Sequence, residues 1–395
     1  MPSLAKSTFD RLMLLNFHLP NYFSKSVRQE IGELYAHSAI ANMASSMMLL
    51  FEPIFLYSVL KFSVQEVLLF TALVYGVYIV CIPLGGKFAS QFGYKHSIAI
   101  SVPFQILYWM LLIIAQGDNA GFAYLAAVFY GLSKTFYWPG FHSLMARYAD
   151  HGQVGREFGA VYSLISITFI AGPFLAGFLS KHFGFTITFI VTAIIYAFSV
   201  LPLFKFKEVF IPKAYSFSQT LEMYRAYPKK FIGYLGFGEE LLVLNVWPIF
   251  IFIVVEDLQK AGGLATVASL MAAILALIVG KVTDQYSKTV LIRLGAFFTA
   301  IVWLMRTIAT NFWNTFFVDA LSRTSKEMAF IPISTVTYIR AEATHVVPYV
   351  VFFEQSLAIG KLTACFLGIL LFSLTGSFMV LFILGALYSL LYMFV

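Results

Sequence analysis

The chain has 395 residues, of which 60% are hydrophobic and only 11% are charged, where soluble domains carry roughly 25% charged residues. That balance excludes an ordinary water-soluble fold. The formal charge of +7 is gathered in loops between apolar runs, so it reads as membrane topology and not as a nucleic-acid surface. Cys81 and Cys365 both lie inside apolar runs, too few for a disulfide framework or a thiolate metal site, so no metal and no cofactor is expected.

In chain order, residues 1–35 are a cytoplasmic or interfacial segment. Phe9, Leu12, Met13 and Phe17 recur at helical spacing on a basic background of Lys6, Arg11, Lys25 and Arg28, which fits either a helix on the inner membrane surface or a frayed arm. About twelve apolar runs then approach the ~20 residues that cross a ~30 Å hydrocarbon core. They fall near 36–60, 64–85, 96–117, 120–145, 157–180 and 184–204, then 230–256, 263–281, 289–309, 313–338, 347–373 and 376–395. The first six make a bundle over 36–204 and the last six a bundle over 230–395. Residues 205–229 join them as a basic linker punctuated by Pro212 and Pro228, with an interfacial helix expected over 216–226. An even number of spans puts both termini on one side. Lys87, Lys95, Arg147, Arg156, Lys281, Lys288 and Arg340 fall in or beside the loops of that side, which the positive-inside rule makes cytoplasmic. The expectation is a multi-pass protein of the plasma (inner) membrane with both termini in the cytoplasm.

The two halves repeat each other. Phe51-Glu52-Pro53-Ile54-Phe55 is answered by Val246-Trp247-Pro248-Ile249-Phe250, and Leu132-Ser133-Lys134-Thr135 by Leu321-Ser322-Arg323-Thr324. Gly86 answers to Gly280, Trp109 to Trp303, Pro139 to Pro332 and Arg147 to Arg340, at an offset near 194 residues, as in Trp109 and Trp303. Such duplication in a membrane protein signals two equivalent bundles around a central site.

Two loops carry a family resemblance. Gly86-Lys87-Phe88-Ala89-Ser90-Gln91-Phe92-Gly93-Tyr94-Lys95, and again Gly280-Lys281-Val282-Thr283-Asp284-Gln285-Tyr286-Ser287-Lys288, resemble the signature loop of the major facilitator superfamily, Gly-x-x-x-Asp-x-x-Gly-x-Lys/Arg. The first copy has Ser90 in place of Asp; the second has Ser287 in place of Gly and its Lys288 one place early. The resemblance implies an all-α, polytopic fold of about twelve transmembrane helices in two pseudo-symmetric six-helix bundles, working as a secondary transporter by alternating access. It also implies gating roles. Gly86 and Gly280 would let helices approach, Ser90 or Asp284 would cap the next helix, and Lys95, Lys288, Arg147 and Arg340 would complete the charges of the inner gate. Gly159, Thr168 and Gly172-Pro173-Phe174-Leu175-Ala176-Gly177 in span 5 resemble an antiporter pattern, although tight helix packing also explains small residues there.

Ionisable residues inside spans are costly and therefore point to a cavity or a partner. They are Glu52, Lys134, Glu239, Glu240, Asp319, Arg323, Lys326, Glu327, Glu354 and Lys361. Asp319, Arg323 and Glu327 share one helix face, and Glu354 and Lys361 another. Acids on span 7 opposite bases on spans 10 and 11 resemble the network of proton-coupled symporters in the superfamily. Glu239, Glu240, Glu327, Lys326, Lys361, Glu354 and Asp319 are thus proton-coupling candidates, with fixed ion pairs as the alternative. The equivalent cations Lys134 and Arg323 would face each other across the pseudo-dyad and hold an anionic or zwitterionic solute, with Glu52, Trp138 and Trp247 completing the site. His142, a turn beyond Trp138, either titrates near neutrality or is simply hydrogen-bonded.

No Gly-x-Ser-x-Gly elbow, histidine cluster or phosphate-binding loop is present, so an enzyme is not expected. The expected partners are a small-molecule substrate, protons and membrane lipids, with no nucleic acid and the chain acting as a monomer. Efflux antiport of amphipathic compounds and lipid movement within the same superfamily stay open, with a membrane-embedded enzyme as a remote alternative.

Overall fold

In a computed structural model of the protein, the described residues are 29–117, 119, 121–148, 154–205, 208 and 212–395, with side chains described except at 29–31, 147–148, 154–167 and 169. The helical pattern at Phe9 to Phe17 and the side chain of Arg147 therefore lie outside the described residues. Every regular element among the described residues is helical.

The first span is α1 (Gln29–Leu49) followed by α2 (Phe51–Ser58). The break falls at Leu50, where Pro53 has no N–H to return to the carbonyl of Leu49. α3 (Val64–Phe92), α4 (Tyr94–Ile114) and α5 (Gly121–Tyr148) follow. The predicted fifth and sixth spans run together as α6 (Val154–Phe198), divided by Gly184 at φ 82° and ψ 168°, a backbone state that only glycine adopts cheaply. The linker helix is α7 (Phe217–Ala226), its start fixed by a Ser216–Gln219 capping box. It does not lie free at the membrane surface: Thr220 bonds the Pro348 carbonyl at 3.3 Å and Tyr224 bonds Gln355 at 3.1 Å. The second half consists of α8 (Pro228–Leu235) and α9 (Gly238–Val255) as span 7, then α10 (Leu258–Gln285), α11 (Lys288–Met305), α12 (Phe312–Ala343), α13 (Val346–Thr375) and α14 (Phe378–Leu391).

Among the described residues, 8 segments are long and apolar enough to cross a membrane by length and composition alone. Spans 5 and 6 count among them as the one segment Ile170–Phe204, and three further crossings fall short for physical reasons. α12 carries Asp319, Arg323, Lys326 and Glu327, α5 is rich in Gly, Ser and Tyr around Lys134, and α14 is shorter. Side chains such as Val80 (76% exposed) and Leu374 (74% exposed) point outward, where lipid and not water is the solvent.

The ends of the bundle differ. The crossing helices α3, α10, α12 and α14 start at the end opposite the signature loops, and each has a side-chain cap from Ser63, Asp257, Asn311 or Ser377. α4, α11 and α13 start at the signature-loop end, after Gly93, Ser287 and His345, with no side-chain cap.

The halves meet along α6 with α10 and along α3 with α13. Small residues let the backbones approach. A Cβ on Gly262 would collide with the Pro173 carbonyl, one on Gly177 would lie 2.8 Å from the Leu258 carbonyl oxygen, and one on Gly86 would lie 2.7 Å from Val351. Gly262→Val should therefore cost about 1–3 kcal/mol by overpacking, read as a lowered Tm in detergent. Gly263→Val, whose added Cβ meets nothing within 4 Å, should leave Tm unchanged.

Candidate functional site

A central cavity of about 380 Å³ lies between the halves. Its wall contains Glu52, Lys134, Trp138, Trp247, Glu240, Asp319, Arg323, Lys326, Glu327, Glu354 and Lys361. The helical spacings that placed Asp319, Arg323 and Glu327 on one face, and Glu354 with Lys361 on another, thus bring those side chains to one chamber.

In the second half the charges are knitted together. Glu240 on α9 accepts from Lys361 of α13 at 2.8 Å and from Lys326 of α12 at 3.0 Å. Arg323 donates to Asp319 at 2.9 Å, and Trp247 donates to the other oxygen of Asp319 at 2.8 Å. Glu239, the neighbour of Glu240, points away from the cavity. Buried completely, it accepts from Trp303 at 3.1 Å and Tyr392 at 3.0 Å, with Lys326 at 3.7 Å. The Oε2 atom of Glu327 is buried with no hydrogen-bond partner. Arg306, inside the ninth predicted span but not among the ionisable residues singled out there, is fully buried behind this wall. Its guanidinium lies 3.4 Å from the Trp303 ring centroid and 4.8 Å from that of Trp247, and donates to Ser322 at 2.6 Å. The tryptophan of the repeat beside it was the available signal.

The first half is arranged otherwise. Lys134 has no carboxylate within 4.0 Å among the described residues; its ammonium sits 4.3 Å from the Tyr130 ring centroid and 5.5 Å from that of Tyr75. Lys361 lies over the same Tyr75 ring at 5.2 Å. Lys134 and Arg323 share the cavity, but their equivalence in sequence does not extend to their surroundings, because Asp319 holds Arg323 while Lys134 has only aromatic rings against it among the described residues. Trp138 stacks on His142 at 5.1 Å and meets Tyr137 edge-on at 5.0 Å, giving an aromatic wall.

Polar contacts join the halves on either side of the cavity. Toward the signature-loop end, Glu354 of α13 bonds His142 Nε2 of α5 at 2.8 Å and accepts from Tyr78 of α3 at 2.7 Å. The other ring nitrogen of His142 meets the Tyr338 hydroxyl of α12. At the opposite end, Lys181 pairs with Asp257 at 2.7 Å, and Thr71 donates to Asn245 at 2.9 Å.

The signature loops depart from expectation. Ser90 does not cap α4; its hydroxyl donates back to the Lys87 carbonyl within α3. Instead the linker residue Glu208 accepts the backbone N–H groups of Tyr94 at 2.9 Å and Lys95 at 3.2 Å. The carboxylate that the loop lacks at Ser90 thus arrives from the linker, at the helix start where a negative charge is favoured. Asp284 lies inside α10, and Ser287 occupies the cap position of α11. Lys95 is buried in an ion pair with Glu33 of α1. Gly86 packs against Val351 as its smallness suggests, Gly280 is buried, and Lys288 opens α11. Arg340 is exposed over Tyr227, 5.7 Å from its ring centroid, without a carboxylate within 4.0 Å among the described residues, so it does not close the gate through an ion pair here.

The sequence model of the Major Facilitator Superfamily matches residues 34–220. Over 135 residues the chain is 32% identical to an uncharacterized MFS-type transporter, YxaM, of Bacillus subtilis (strain 168). That match covers 34% of this chain and 32% of the relative, about a third of its length. The fold superposes on the crystal structure of the human organic anion transporter MFSD10 (TETRAN) with a TM-score of 0.69, over 93% of this chain and 98% of that one, at 14% identity.

Removing the borrowed cap, Glu208→Ala should lower stability by about 0.5–2 kcal/mol, with Glu208→Gln falling between it and the parent in a detergent melt. At the opposite end, the hydrogen bond from Lys181, and after it the Lys260 N–H, hold the Asp257 carboxyl below the usual aspartate range. Its contribution is complete above the ordinary aspartate pKa of about 3.9 and is lost as pH falls through the lowered value. Partly exposed, the pair is worth at most about 1 kcal/mol. Asp257→Asn should flatten the acid limb of a Tm-against-pH curve.

Proposed function

We propose that the chain, whose residues 34–220 match the sequence model of the major facilitator superfamily, is a secondary active transporter of that superfamily. Its solute is a small organic molecule bearing a negative group, moved by alternating access with a proton as coupling ion. One observation carries the anionic assignment. Arg323, Lys326 and Lys361 on the cavity wall each have a carboxylate within 4.0 Å, and Lys134 has none among the described residues. A cation kept in a membrane-buried cavity without a resident partner is costly, and an anionic solute supplies the missing charge.

The halves, 36–204 and 230–395, would part alternately at the two seals, His142–Glu354–Tyr78 at one end and Lys181–Asp257 at the other. Glu327 is the first candidate for the proton, because its Oε2 atom is buried without a partner and the neighbouring Lys326 is engaged by Glu240. Movement of Lys326 from Glu240 toward Glu327 would exchange a proton for an ion pair. Glu239, tied to Trp303 and Tyr392 outside the cavity, serves as support. The basic signature-loop end would face the cytoplasm with both termini, in the plasma (inner) membrane. One chain encloses the chamber, which suits a monomer surrounded by lipid. The aromatic wall of Tyr130, Tyr137 and Trp138 favours efflux of amphipathic compounds as the second reading.

Proteoliposomes with an imposed pH gradient test this. Uptake of a panel of organic anions should rise with the gradient, and Lys134→Ala should weaken apparent affinity at least tenfold, about 1.4 kcal/mol. Flux that ignores the gradient and is unaltered by Glu327→Gln would remove the proton; unaltered affinity in Lys134→Ala would remove the anion site.

A further inference from the structure

We propose that the substrate is a compact zwitterion with an aromatic body, an ammonium and a carboxylate on neighbouring atoms, recognised mainly by the N-terminal half of the cavity. The inference rests on the anion site at Lys134 and adds its counterpart. Glu52, on α2, also lines the cavity and has no cation within 4.0 Å among the described residues. Lys134 lies in the wall of the same cavity, yet no salt bridge joins the two. Among the described residues, the N-terminal half therefore presents one basic and one acidic group to the same cavity with no ion pair between them.

The second half presents no such pair. Arg323 is held by Asp319, and Lys326 and Lys361 by Glu240, so a ligand would have to break an ion pair to use any of them. The cheaper binding site is the one whose charges are already separated.

The sign of the site then selects the ligand. A plain monoanion gains attraction from Lys134 and repulsion from the Glu52 carboxylate, and a plain monocation meets the reverse. At low effective dielectric these two contributions are of similar size and largely cancel. A molecule carrying both charges meets attraction twice, its carboxylate toward Lys134 and its ammonium toward Glu52. The surrounding rings set the body of the ligand. Tyr130 stacks on Tyr108 with centroids 4.5 Å apart, and Tyr137 meets Trp138 at 88°. Such faces favour a flat or aromatic group and also accept an ammonium. A cavity of about 380 Å³ lies at the small end of ligand pockets, which keeps the body to about one ring.

A matched set of probes tests the inference on the purified full chain: L-phenylalanine, 3-phenylpropanoate, which lacks the amine, and L-phenylalanine methyl ester, which lacks the carboxylate. Binding is read by thermal stabilisation over a concentration series. L-Phenylalanine should bind at least tenfold tighter than either analogue. Glu52→Gln should erase its advantage over 3-phenylpropanoate, and Lys134→Gln its advantage over the ester, with unliganded Tm confirming that each variant is folded. Should a variant fail to fold, the comparison of the three probes on the parent chain decides alone. Equal binding of 3-phenylpropanoate and L-phenylalanine would overturn the zwitterion while leaving the anion site intact. Preference for the ester would overturn both. No stabilisation by any of the three at millimolar concentration would overturn the assignment of an aromatic zwitterion, and the anion reading would then stand or fall on the flux of Lys134→Ala.

Discussion

The carboxylate of Glu240, shared by Lys326 and Lys361, ties three helices of the second half to one point in the middle of the membrane. Removing two lysines and a glutamate from water is expensive, and only mutual neutralisation makes it tolerable. That requirement dictates much else. α9, α12 and α13 must stay in a fixed register, Trp303 and Tyr392 must satisfy the adjacent Glu239, and Trp247 must steady Asp319 so that Arg323 has its own partner. The second half becomes a self-contained ionic lattice. In the first half, Glu52 and Lys134 line the same cavity without an ion pair among the described residues.

This division of labour sits oddly with duplication. The halves descend from one pattern and share a fold, and their prolines, glycines and tryptophans still align. Their charges do not. Lys134 and Arg323 stand at matching places, but the residue one helical turn before Arg323 is Asp319, whereas the corresponding neighbour of Lys134 is Tyr130. One substitution of an acid for an aromatic separates a neutralised cation from an available one. A dyad in the backbone is therefore no guide to symmetry in the chemistry.

The fold was legible because membrane crossing leaves a strong periodic and compositional trace, and because repetition reinforces it. The wall of the cavity was legible for the same reason: ionic residues in apolar helices have few places to go. Pairing was not. Glu239 and Glu240 are adjacent in sequence and differ by a rotation about the helix axis, so only packing decides which of them faces the chamber. Lys361 was expected near Glu354 by spacing along α13, yet it reaches Glu240, and Glu354 turns to His142 and Tyr78 on the other half. Such contacts join residues far apart in the chain, and no local pattern encodes them. Ser90 is the sharpest case. Its departure from the family loop was visible, but the carboxylate that replaces the missing one comes from Glu208, beyond the sixth span.

The unequal capping of the two ends has its own consequence. Where Ser63, Asp257, Asn311 and Ser377 cap their helices, each start carries its own acceptor and keeps it however the bundles tilt. Where α4 begins, the acceptor belongs to the connecting strap, so α4 and the strap must travel as one body or its first amides must be rehydrated. Lengthening that strap between Glu208 and α7 would then loosen the first bundle from the second, because its one end steadies α4 and its other end is bonded to α13.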